Sequence, residues 1–348
     1  MTFRNRNAGF TLVELLVSMG ILSVLLLLLT TLLGTIQQTW VSAQDRVGQF
    51  REARVAFDII TKNASQASLN TYYDYKYDPA TNFPSSYERR SELHFKTCPA
   101  SELAGEIPGG TPVGHALFFQ APLGFSTRYR NLNNLFNGRG YFVVYGDDLE
   151  FRPDFVRSDP KYRFRLMEFR PPAEENQVFA DGQAERENDQ EPQLDKWWRQ
   201  SESSVKSGPF FEHVHPLAEN IIALVVSPRD TLEVSGDDRR NTFSRIASNF
   251  EFDSNSIVDL KYAQQVPPLM RLTMIAVDET AGIRQESVGT PPQELIFDQL
   301  FKNTSKYDDD IATLEEELGG KGINYKIFST IVMMRSSRWS DFEVDEIK

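Results

Sequence analysis

Two places near the start of the chain hold residues with chemistry to do. Gly9-Phe10 joins a short polar leader, MTFRNRNAG, to an apolar run, and Glu14 stands at the head of that run. A small residue before a scissile bond suits a peptidase. A secretory signal carries its Ala-x-Ala-like site after the apolar run, whereas here the small residue lies before it. If a protease cuts here, it cuts on the cytoplasmic side, leaves the span attached and frees an α-amino group at the membrane. Glu14 is a carboxylate where an ionised group is costly unless paired. In an assembly of such spans, the carboxylate of one subunit can pair with the amine of its neighbour, and the cost of leaving it unpaired biases register. The plain alternative is a helix-end side chain that snorkels to the headgroups.

Elsewhere the chemistry is thin. His213-Val214-His215 puts two imidazoles on one face of an extended segment, in a loop before a strand. No third Cys or His lies nearby, so no metal is expected. Asp308-Asp309-Asp310 lacks the alternating ligands and turn glycine of a calcium loop and suits an acidic first turn of a helix. Cys98, the single cysteine, excludes an internal disulfide framework and reads as a turn residue before Pro99. Phosphate-binding, serine-nucleophile and zinc-protease motifs are absent. The sequence predicts no cofactor and no enzymatic activity. Lys plus Arg is 37 against 49 Asp plus Glu, a net charge of −12, which argues against nucleic acid as a partner.

The elements that position Glu14 follow from patterning. From Leu15 to Gln44 there are 30 residues without a charged side chain. About 20 apolar residues at ~1.5 Å each cross a bilayer core of roughly 30 Å. Arg4 and Arg6 precede the span, so residues 1–9 stay cytoplasmic and everything after about Thr35 is exported. Val47, Phe50, Ala53, Phe57, Ile60, Ala64 and Ala67 then recur at steps of three and four. One helix is therefore expected from about Thr11 to about Leu69, apolar all round and then amphipathic.

From Thr71 the texture changes to strands and turns. After an alternating Tyr73, Tyr75, Tyr77, strands are expected at Glu92–Thr97, Ala116–Gln120, Tyr141–Tyr145, Tyr162–Phe169, Ile221–Val226, Leu269–Val277 and Tyr325–Met334. Helices are expected at Pro292–Lys302 and Asp308–Leu318. Pro171–Ser207 reads as an exposed polar insertion, with Trp197-Trp198 anchoring a short helix, Gln193–Gln200, against the head. The fold class is α+β: a long N-terminal helix packed on a mainly antiparallel head. The expected organisation is a leader over 1–9, a transmembrane helix over 10–35, an amphipathic stalk over 36–70 and an exported head over 71–348.

The decapeptide from Gly9 to Ser18, GFTLVELLVS, resembles the N-terminal signal of type IV pilins and type II secretion pseudopilins. The resemblance implies removal of residues 1–9 by a prepilin peptidase, N-methylation of Phe10, and assembly through Glu14. It implies as partners the membrane, other pilins or pseudopilins and an inner-membrane assembly platform. A large acidic head suits a minor subunit at a fibre tip, similar in plan to J-class pseudopilins. Ala116–Phe125, Pro216–Ile222 and Leu269–Glu279 resemble the pseudopilin-like Verru_Chthon cassette protein C. The implied location is the inner membrane, single-pass, with the head in the periplasm and the chain extractable into a fibre. The rival reading is a membrane-anchored exported binding protein or hydrolase that uses the same leader.

Overall fold

In a computed structural model of the chain, the described residues are 11–104, 107, 110–129, 132–153, 155–175, 213–230, 246–255, 263–284, 289–297 and 299–337. The expected Trp197-Trp198 helix and most of the Pro171–Ser207 insertion lie outside them. The chain divides into two compact units, residues 1–51 and 52–348. Helix α1, Leu12–Ala64, supplies the described part of the first and enters the second.

In the first unit, α1 is apolar on every face from Leu15 to Leu33, and its side chains from Leu12 to Ile36 are exposed. Leu12–Gln37 is long and apolar enough to cross a membrane. The hydroxyls inside this stretch bond back to the helix's own carbonyls. Ser18 donates to Leu15 O at 2.9 Å, Ser23 to Met19 O at 2.8 Å, Thr30 to Leu26 O at 2.9 Å, Thr31 to Leu28 O at 2.8 Å and Thr35 to Thr31 O at 3.0 Å. Where water is absent, polar groups must be satisfied within the protein, and these are.

In the second unit, the amphipathic stripe is buried from Ala53 through Ala56, Phe57, Ile60, Ala64 and Ala67. The helix stops at Ala64, short of the expected Leu69. Beyond it the Ser68 amide donates to Gln120 O at 3.0 Å, so the backbone is drawn into the sheet instead of continuing the coil.

The head is antiparallel throughout. Strands β1 (Tyr72–Tyr77) and β2 (Pro84–Arg90) form an exposed hairpin. The large sheet joins β3 (Lys96–Pro99), β4 (Gly110–Phe125), β5 (Asn133–Gly146), β6 (Arg163–Phe169), β7 (Val214–Glu219) and β9 (Phe252–Asp253) in the order β7-β6-β5-β4-β3-β9. A smaller sheet joins β8 (Ile221–Arg229), β10 (Leu269–Val277) and β11 (Tyr325–Met333) in the order β11-β10-β8. Asn220, with φ of 58°, turns the chain from one sheet to the other. It bonds both: its amide donates to Phe164 O at 2.7 Å, and its carbonyl accepts from the Val277 amide at 2.9 Å.

One face of the large sheet packs an apolar core of Phe118, Phe142, Met167, Phe169 and Val214 with Leu103 and Ile107. Gly140 sits under the Phe118 ring, where a Cβ would come within 2.4 Å of it. On the opposite face, Tyr141 and Glu168 pair across β5 and β6 and meet α1 through Asn63. Phe57 of α1 lies 5.7 Å from Phe328 of β11, centroid to centroid. The helix thus packs on both sheets.

Helix α2 (Glu279–Arg284) follows β10, and α3 (Tyr307–Gly320) precedes β11. Asp308–Leu318 is helical as expected. Pro292–Lys302 is not: it holds one turn of 3-10 helix, Gln293–Leu295. Pro292 is extended, with φ of −64° and ψ of 128°, and caps nothing with a side chain. Cys98 is not in a turn but buried within β3.

Candidate functional site: the membrane end of helix α1

Gly9 and Phe10 lie outside the described residues. Glu14 is described, and it has a partner that sequence patterning did not single out. Thr11 precedes the first helical residue, and its hydroxyl accepts from the Glu14 amide at 3.3 Å. The Glu14 carboxylate reaches back to the Thr11 amide at 3.3 Å and the Thr11 hydroxyl at 3.2 Å. This is a capping box, Thr-x-x-Glu, in which two donors of the open first turn are satisfied reciprocally. The signal was legible in Thr11-Leu12-Val13-Glu14. The carboxylate also lies at the positive end of a long helix dipole, where negative charge is favoured. Glu14 therefore has a local partner within its own chain, and its Thr11 neighbour fixes where the carboxylate points.

The other residues with chemistry are dispersed through the head. His213 precedes β7 and His215 lies within it, on the edge of the large sheet rather than in a loop. Burial, then repulsion from Arg170, lowers the His215 pKa, with Glu168 opposing. Asp308, Asp309 and Asp310 occupy the first turn of α3. Asp310 accepts from the Phe301 amide at 2.9 Å, and Asp308 lies 3.9 Å from Arg271. Asp310 is thus engaged by a backbone donor and Asp308 lies beside a cation. Among the described residues no group of three His, Cys, Asp or Glu is disposed to hold a metal.

Two buried histidines act as staples. His94 Nε2 lies 2.7 Å from Asp253 Oδ1 and ties the segment leading into β3 to β9. Burial works to raise the Asp253 pKa, but the hydrogen bond and charge of His94, with the Asn255 amide and Lys96, leave it lowered. His115 sits in a bulge of β4 opened by Gly114, whose φ is +71°. Its Nδ1 accepts from the Val226 amide at 3.4 Å, and its Nε2 donates to Phe301 O at 3.2 Å. Burial lowers its pKa to about 4, with the Phe301 contact opposing. Each ring links strands or loops; neither faces a nucleophile among these contacts.

Residues 4–30 match the family model of the prokaryotic N-terminal methylation motif. The chain carries a prepilin-type N-terminal motif. That motif spans the leader's basic pair, the Gly9-Phe10 junction, Glu14 and the first half of the apolar helix, and it gives the chain a type IV pilin-like or pseudopilin-like membrane end. Processing by a prepilin peptidase and assembly with other pilins are what such a motif implies. No curated protein and no solved structure matches the chain.

Proposed function

We propose that the chain is a minor pseudopilin-like structural subunit of a type II secretion or type IV pilus-like assembly, at or near the fibre tip. The prepilin-type motif on a helix that is apolar all round and satisfies its own hydroxyls is the observation that carries this reading. In this proposal a prepilin peptidase cuts between Gly9 and Phe10 and the new Phe10 amine is methylated. Glu14 then guides entry into the assembly. Its capping bonds to Thr11 hold the carboxylate at the start of the helix, and pairing with the Phe10 amine of a neighbour sets the register. The head lies in the periplasm, tethered to the inner membrane by a single span until the subunit is extracted. Its bulk supports the tip: lateral packing around a thin fibre leaves little room for it, and a terminal subunit meets no such limit. The plan is that of the J-class subunits, and the head phrases noted above favour the cassette protein C resemblance.

Mass spectrometry of the N-terminal peptide from native membranes tests the reading. A mature chain starting at N-methylated Phe10 is expected, and replacing Gly9 with a bulky residue should leave the leader attached. An N-terminus at Met1, or beyond Leu33, overturns it.

A further inference from the structure

We propose that the head holds an oxyanion-binding site between the ends of β4, β5 and β6, built on Arg139 and Arg170. A cavity of about 520 Å³ is lined there by Leu123, Gly124, Phe125, Asn134, Arg139 and Arg170. Its volume lies in the range of small-ligand sites, roughly 300–1,000 Å³. Its walls combine an aromatic and an aliphatic side chain with two guanidinium groups, and no carboxylate of the described residues lines it.

Among the described residues the charge around it does not balance. Arg139 is 6% exposed. Its Nη2 donates to Leu123 O at 2.6 Å, but its Nε and Nη1 have no hydrogen-bond acceptor among the described residues. The nearest carboxylate, Glu168, is 3.8 Å from Nη1, beyond hydrogen-bonding distance, and its Oε1 already accepts from the Tyr141 hydroxyl at 2.9 Å. Arg170 is exposed, and its guanidinium lies 5.3 Å from the centre of the Phe125 ring. It forms no ion pair or side-chain hydrogen bond with any described residue. Glu174, four residues on, is occupied elsewhere: it accepts from the Ser126 hydroxyl and from the Thr127 and Arg128 amides at 3.3 and 3.2 Å. Among the described residues Arg139 therefore has one nearby carboxylate, already engaged by Tyr141, and Arg170 has no ion pair, in a chain whose net charge is −12.

Burying a guanidinium short of partners is costly, and an oxyanion supplies the missing acceptors. Arg presents a planar fork that suits carboxylate or phosphate oxygens bidentately, and an Arg stacked on an aromatic ring keeps its N–H edge free. The site takes an oxyanion, carboxylate or phosphate, on a ligand small enough to enter between the strand ends. Phe125 and Leu123 then contact its apolar part. This goes beyond the assembly role, which rests on the N-terminal motif.

The test titrates the full-length protein in detergent micelles at low salt with inorganic phosphate and, separately, with citrate, read by calorimetry. Saturable binding of at least one is expected, whichever is tighter naming the oxyanion. Arg170→Gln should weaken it ~10-fold or more, on the scale of one charge-assisted hydrogen bond, while the melting temperature without ligand stays unchanged because Arg170 is exposed. Arg139→Lys is a second variant, keeping the charge but losing the fork, and should also weaken binding. No saturable binding of either anion, or equal affinity in Arg170→Gln, overturns the proposal. Neither outcome bears on the N-terminal processing site.

Discussion

Asn63 of helix α1 donates to the Tyr141 hydroxyl at 2.8 Å, and that hydroxyl in turn donates to Glu168 at 2.9 Å. The two bonds form a polar thread from the helix through β5 to β6, with the Arg139 guanidinium 3.8 Å from the same carboxylate. Burial, then the nearby Glu168 charge, raises the Tyr141 pKa, so the phenol stays protonated and remains the donor in the chain. A buried tyrosine that relays one hydrogen bond to another ties the helix to the sheet with direction as well as area.

Tyr141→Phe removes the relay and keeps the ring. The Asn63 amide and the Glu168 carboxylate then each lose a partner in a buried setting, which costs about 1–3 kcal/mol. Denaturant unfolding of the full chain in micelles should give a lower midpoint. Asn63→Ala, which strands no charge, should cost less. Equal midpoints for Tyr141→Phe and the wild type would show that the thread contributes nothing.

Gly140 is the second position where the head leaves no slack. A Cβ there falls 2.4 Å from the Phe118 ring, and the ring is held between Phe142, at 6.1 Å, and Phe169, at 6.5 Å. Gly140→Ala should destabilise the head by about 1–3 kcal/mol through overpacking. Adding Phe118→Leu, which vacates the crowded space, should make the alanine cheaper than it is in the wild-type background. A strictly additive double-mutant cycle would rule out this contact as the cause.

His115 gives the head an acid limit. Its pKa in the fold is about 4 against an ordinary 6.5, so between these values the unfolded chain binds the proton and the folded one does not. Stability therefore rises with pH across that window and falls on acidification, by at most about 3 kcal/mol from this group. Below about 4 the ring protonates in the fold, and its Nδ1 can no longer accept from Val226. His115→Gln removes the titration, so its unfolding midpoint should depend less on pH from 6.5 down to 4. Parallel pH profiles would assign the acid sensitivity to other groups.

What was legible in the sequence follows from how strongly each segment repeats its own pattern. Leu269–Val277 is a strand end to end as read, because a run of β-branched and apolar residues bounded by Pro268 and Asp278 leaves one solution. From Ala53 to Ala67 the stalk stripe is buried as read, because one face of a helix must be apolar where it packs. β2 was missed since PSSYERR is exposed and polar, so nothing in its composition marks a strand. β7 was missed because Pro216 interrupts it; the strand tolerates the proline only because it lies at the sheet edge. The Pro292–Lys302 helix failed because Leu295 is buried by a single turn and Phe301, with φ of 57°, reverses the chain. Nor was the Arg139–Arg170 cavity legible: its two cations are 31 positions apart, and only the pairing of β5 with β6 brings them together.

At the membrane end, Glu14→Ala should block assembly without blocking insertion or leader removal. The apolar run and Gly9 survive the change, so export and cutting proceed. The alanine removes both the capping partner of Thr11 and the carboxylate that can pair with a Phe10 amine. Loss of the cap alone costs about 1 kcal/mol and frays only the first turn. Loss of one member of a buried ion pair costs roughly 3–5 kcal/mol, because the other charge is stranded. The two contributions separate in a second variant: Thr11→Val removes the hydroxyl of the capping box while Glu14 keeps its charge. If pairing with the amine governs entry, Thr11→Val should assemble nearly as the wild type does and Glu14→Asp, with its shorter reach, should be intermediate. Pull-down of partner pilins, alongside leader removal for each variant, measures this. Wild-type incorporation of Glu14→Ala would mean that the carboxylate merely caps its own helix. Equal defects in Thr11→Val and Glu14→Ala would mean that the cap, and not the pair, is what assembly requires.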